Sequence, residues 1–198
     1  MDLPQECLSC IALSGIKRVY SDCVGPTSGG INIPGLVLLS KRPLRNIRKV
    51  DLIPGIKQIL PRSYLYAEVD GIGPIACTHL TANLGKIYYE PYLQSKFSSW
   101  RDQNLHDVQT LVQDFRDFPR MIIMGDLNCG PSVPEQNVAE DFSASFQALM
   151  DNNFTAPYVT KLGMCTYCHE NKFVVQNENL IIDHILLKGF EAKSVKVS

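Results

Sequence analysis

A run of helix-patterned residues handed directly to a short apolar strand constrains this chain most. Over residues 98–118, Trp100, Leu105, Val108, Leu111, Val112 and Phe115 recur at helical spacing with polar residues between them, the signature of a helix with one buried face. Pro119 is predicted to stop that helix, because proline lacks the amide hydrogen and blocks the preceding turn. Residues 121–124 (MIIM) then read as a short buried strand running into Gly125-Asp126-Leu127-Asn128. Further strands are predicted over 35–40 (GLVLLS), 64–69, 74–80 and 180–187, and a helix over 139–152. Asp70-Gly71-Ile72-Gly73 between two of those strands is a hairpin signal. Strands mixed with long helices, joined by hairpins rather than regular strand–helix–strand units, predict a layered α/β sandwich.

The chain has 198 residues, 45% of them hydrophobic, which suits one core and one domain. No apolar run approaches the roughly 18 residues of a membrane span. The formal net charge is −1, whereas a protein that grips nucleic acid through phosphates normally carries a basic surplus. Lys41, Arg42, Arg45, Arg48 and Lys49 form a local basic cluster, read as a solvated loop and strand face. The opening MDLPQECLSC lacks the basic flank and apolar stretch of a signal peptide.

Three pairs carry chemistry. Asp126 and Asn128 stand two apart at the end of an apolar strand, so in extended backbone both face one pocket; a turn capping the strand is the plain alternative. His79 ends the strand through Ile75, Ala76 and Cys77, either as a core histidine or as a group that meets a phosphoryl or leaving oxygen. Asp183 and His184 are strand neighbours within Ile181-Ile182-Asp-His-Ile-Leu-Leu, so their side chains point to opposite faces; Asp183 is expected to face the site as an orienting carboxylate.

In their order, Gly35-Leu-Val-Leu-Leu-Ser-Lys41, Thr78-His79-Leu80, Gly125-Asp126-Leu127-Asn128 and Ile182-Asp183-His184-Ile185 resemble the endonuclease/exonuclease/phosphatase superfamily, from about residue 35 to the end. Residues 76–82 and Cys165-Thr166-Tyr167-Cys168 are similar to its sphingomyelinase-like secreted branch. The resemblance implies a deoxyribonuclease-I-like fold: a four-layered α/β sandwich of mixed and antiparallel sheets flanked by helices. It implies a metal-dependent phosphoesterase that cleaves a phosphodiester with activated water. His79 would contact the scissile phosphate or protonate the leaving group. Asp126 would activate water and share in metal binding, Asn128 would donate to the phosphate, and Asp183 would support them. Magnesium or a similar hard divalent ion is the expected cofactor. A phospholipid or sphingomyelin head group comes first among substrates, with possible contact to a membrane surface, and nucleic acid second.

The pattern departs from the family at both ends. The family's first strand carries an Asn and its second ends in Gln-Glu, the Glu being the main metal ligand. Gln5-Glu6 has those letters, but Pro4 precedes it and no apolar strand leads in; Glu6 is the candidate metal ligand on that basis. No Ser-Asp-His follows Asp183-His184. That pair is therefore read as the penultimate motif, with the terminal reading, His184 as a catalytic histidine, kept open. On this reading residues 1–198 are a single partial domain with an irregular lead-in over 1–34. A catalytically inactive remnant that binds a partner is the rival expectation.

The seven cysteines fit the secreted relatives, so an extracellular longer parent is favoured although the compartment is not fixed by sequence. Cys165-x-x-Cys168-His169 matches a haem-attachment signature, and with Cys7-x-x-Cys10 a zinc set. Disulfides within or between those pairs are preferred. Tyr88, Tyr89 and Tyr92 are either a lip that meets lipid or ordinary packing.

Overall fold

The computed structural model describes residues 36, 38–56, 61–85, 93–172, 174 and 177–196. Glu6, Cys7, Cys10, the 1–34 lead-in and Tyr88, Tyr89 and Tyr92 lie outside them.

Five strands form one mixed sheet in the order β1-β2-β3-β4-β5: β1 (Leu44–Asp51), β2 (Ser63–Val69), β3 (Gly73–His79), β4 (Met121–Asp126) and β5 (Asp183–Lys188). β1, β2 and β3 run antiparallel in succession, β3 and β4 are parallel, and β4 and β5 antiparallel. Gly71, at φ +73°, makes the β2–β3 turn, a backbone state that favours glycine. The parallel β3–β4 pair is bridged by α1 (Trp100–Asp114), a strand–helix–strand unit that the hairpin expectation passed over. Parallel neighbours require such a crossover.

The helix begins where Ser99 accepts a hydrogen bond from the Asp102 amide at 3.2 Å, an N-cap that satisfies a first-turn donor. It ends at Asp114, ahead of Pro119, because Phe115 leaves helical geometry while its amide still reaches the Leu111 carbonyl at 3.0 Å. Phe115 is fully buried and packs on Tyr64, with ring centroids 5.2 Å apart, so tertiary packing rather than the proline sets the boundary. The later helices are α2 (Ser143–Asp151) and α3 (Pro157–Lys161). The helix predicted over 139–152 starts late because Ala139 is held in a bridge to Leu180.

Helices α1 and α2 pack together over one face of the sheet. Tyr64, Tyr66, Ala76, Met121, Ile123 and Leu186 from the strands join Val108, Leu111, Phe146 and Leu149 from the helices in one core. Alternation sends Leu65, Cys77, Ile122 and Met124 to the opposite face, where Ile185 is 59% exposed.

Residues 36 and 38–40 are not a strand, and Leu39 is 60% exposed. The apolar run has no strand partner among the described residues, and a buried strand needs one. The edge strand is instead the basic stretch that follows. Arg45, Arg48 and Lys49 lie exposed on β1, as expected of a solvated face and as charged edges that deter further pairing do.

Candidate active site

The register of three neighbouring strands builds the site. His79 stands opposite Asp126, and Asp126 opposite Asp183. Residues in one cross-strand row project to the same face of a sheet, so an imidazole and two carboxylates share one edge. β5 runs against β4, which brings its first residue to the edge where β3 and β4 end. His79 Nε2 lies 3.5 Å from Asp126 Oδ2, with the two side chains 41% and 31% exposed.

Gly125 permits this meeting. Its φ is +134°, and a Cβ there would overlap the Thr78 carbonyl. The neighbouring row, Thr78, Gly125 and His184, faces the helices.

Electrostatics sets the protonation states. Desolvation, with the Arg62 guanidinium second, lowers the His79 imidazole to about 4 against the pull of Asp183. Desolvation, with the Asp183 charge second, raises the Asp126 carboxyl to about 6. At neutral pH the pair is thus a neutral imidazole beside a carboxylate, not an ion pair. Arg62, which sequence reasoning missed, precedes β2 and reaches the His79 carbonyl at 3.5 Å. Its signal was its place one residue before a strand that pairs with the His79 strand.

Asn128 is placed differently from its sequence expectation. The backbone turns left-handed there, at φ +50°, so the two-residue alternation from Asp126 fails. Its amide accepts no part in the open edge: Nδ2 donates to the Leu80 carbonyl at 3.0 Å and the residue is 6% exposed. Asp126 Oδ1 accepts the Asn128 backbone N–H at 3.0 Å. The capping turn is what forms, and Asn128 braces the ends of β3 and β4.

Asp183 and His184 do point to opposite faces. His184 is 4% exposed and its Nε2 meets the carbonyl oxygens of Cys129 (2.8 Å) and Ile181 (3.2 Å). Burial lowers its pKa. The ring lies against Phe146 with centroids 5.3 Å apart. The structure therefore does not bring His184 to the His79–Asp126–Asp183 edge; a strand's period of two makes that impossible while Asp183 faces it.

Thr166 Oγ1 accepts the backbone N–H of both Ile182 and Asp183 at 3.1 Å, fixing the start of β5. Cys165 and Cys168, on either side, are joined by a disulfide, which removes them as ligands for haem or zinc.

Among the described residues no group of three or more His, Cys, Asp or Glu side chains is arranged to hold a metal. Asp126 and Asp183 nevertheless form a carboxylate pair whose mutual repulsion contributes to the raised Asp126 value. That donor set fits magnesium, which takes one or two carboxylates and keeps several waters.

No family profile matches the sequence, and no curated protein matches it. Solved structures do. The 3′-5′ exonuclease NExo of Neisseria meningitidis superposes with a TM-score of 0.53 at 16% identity, over 75% of this chain and 60% of that one. A structure of the Neisseria 3′ phosphatase NExo bound to product DNA hairpin gives 0.53 at 15% identity, again covering 75% and 60%. An AP endonuclease from Archaeoglobus fulgidus gives 0.50 at 11% identity, over 74% and 59%. The chain thus spans about 60% of the length of these neighbours. Its fold, a mixed sheet backed by helices, is shared with these nuclease and phosphatase structures over about three quarters of this chain.

Proposed function

We propose that this chain carries the His79–Asp126–Asp183 part of a metal-assisted phosphoesterase. The carrying observation is the row itself, with two carboxylates and a neutral imidazole side by side at one strand edge. Asp126, ionised above about pH 6, accepts a proton from water as the water oxygen bonds to phosphorus and the P–O bond to the leaving group breaks, and the departing oxygen takes up a proton in turn. His79, neutral at pH 7, donates an N–H to a phosphoryl oxygen. Arg62, close enough to depress His79, adds positive charge where negative charge develops. Asp183 orients the pair. Asp126 and Asp183 would hold a magnesium ion, which when bound neutralises phosphate charge; Glu6 remains a sequence-level candidate for the same ion.

For substrate we favour a phospholipid head group, as in the sphingomyelinase-like branch. The net charge of −1 supports this. So does the position of two of the clustered basic residues. Arg42 and Arg45 engage Asp70 at the β2–β3 turn, the end of the sheet opposite His79. Nucleic acid is the second reading, because one structural neighbour is bound to a DNA hairpin. Hydrolysis of sphingomyelin vesicles, set against a 3′-phosphorylated DNA hairpin and an abasic duplex in magnesium, separates the two. Faster turnover of either DNA than of sphingomyelin overturns the lipid assignment.

A further inference from the structure

We propose that Asn104 and Asp107 of α1 are positioning residues that hold His79 against Asp126. The two stand one helical turn apart, and both are 0% exposed. Asn104 Nδ2 donates to the Thr81 carbonyl at 2.7 Å and to the Leu127 carbonyl at 3.0 Å. Asp107 Oδ2 accepts the Thr81 backbone N–H at 3.1 Å and the Thr81 hydroxyl at 2.7 Å. Thr81 lies two residues beyond His79, and Leu127 one beyond Asp126.

These bonds fall where the sheet runs out. Backbone pairing between the two segments continues one step past the site, through Leu80 N–H to the Asp126 carbonyl at 2.9 Å. The left-handed turn at Asn128 then carries the second segment away. Beyond that point the two hydrogens of one buried amide join the segments in place of the next rung of the ladder.

Packing alone does not account for the pair. Asn104 Oδ1 and Asp107 Oδ1 have no hydrogen-bond partner among the described residues, and buried polar atoms without partners destabilise. Apolar residues would seat the helix at less cost. What they cannot do is tie the segments behind His79 and Asp126 to each other.

The proposal rests on the reading of His79 and Asp126 as the working pair, so the test reads their coupling separately from turnover. His79 ring resonances are recorded by NMR on the full chain at fixed pH, with and without Asp126→Asn. Asn104→Asp, which turns two donors into an oxygen facing two carbonyls, is expected to reduce the His79 response to Asp126→Asn by at least half. Leu149→Ala, a destabilising change in α2 away from the site, should leave the response intact, as should Asp107→Asn, which keeps an acceptor for Thr81. If Asn104→Asp does not fold, Asn104→Leu, which removes both donors with a side chain of similar size, serves in its place with the same expectation. A full response in the folded variant overturns the proposal. Where turnover is measurable, the loss should fall in kcat, on the order of 10²-fold for a displacement near 1 Å, with KM unchanged. A folded wild-type chain that shows the coupling but no turnover refutes the functional reading and leaves the lock standing.

Discussion

Asp107→Asn should make this protein more stable, and only above mildly acidic pH. Burial raises the Asp107 carboxyl from its ordinary 3.8 to about 6, despite the two bonds from Thr81. A folded-state value above the unfolded one means the native protein holds the proton more tightly. Stability therefore falls as pH rises from about 4 to about 6 and is level beyond. At 1.36 kcal/mol per pH unit the full effect is about 3 kcal/mol. The amide is neutral throughout, keeps an oxygen for Thr81 and does not titrate. The remaining acids titrate alike in both proteins and cancel in the difference. Urea denaturation at pH 4 to 8 should show near-equal stability at pH 4 and an advantage for Asp107→Asn of up to about 3 kcal/mol at pH 7. A difference that does not change with pH, or a variant weaker at pH 7, would refute the reasoning.

Thr166→Val should lower stability by about 2 kcal/mol, read by the same denaturation, because the buried N–H of Ile182 loses its acceptor along with that of Asp183. Gly125→Ala should cost on the order of 4 kcal/mol or abolish folding, since its Cβ would overlap the Thr78 carbonyl in a backbone state that disfavours side chains; thermal melting checks this. Turnover at limiting magnesium should rise with pH through about 6, as Asp126 ionises, with no histidine limb above pH 5 because His79 is neutral down to about 4. A kcat/KM profile that instead falls between pH 6 and 8 would contradict this assignment.

Much of the sheet was legible because its strands carry strong local signals. The alternation of Tyr64 and Tyr66 with Leu65, and the apolar 121–124 run, each depend on burial of neighbouring residues in sequence. So did the opposed faces of Asp183 and His184, which follow from strand geometry alone. The misread elements turned on partners distant in sequence. GLVLLS is apolar enough for a strand, but residues 36 and 38–40 find no strand neighbour among the described residues, while the polar LRNIRKVD pairs with β2 and is the edge of the described sheet. Asn128 was expected to follow Asp126 into one pocket, and its left-handed backbone is a consequence of the turn that Leu80 and Asp126 bracket. Arg62 and Asn104 carry no motif; only the register and the packing of α1 bring them behind the site.

Magnesium-dependent hydrolysis of a chromogenic phosphodiester by the folded chain, beside Asp126→Ala, tests the central claim most directly. The account predicts turnover that needs the divalent ion and disappears in Asp126→Ala. No turnover from a sample shown to be folded, or equal turnover by both proteins, would contradict it.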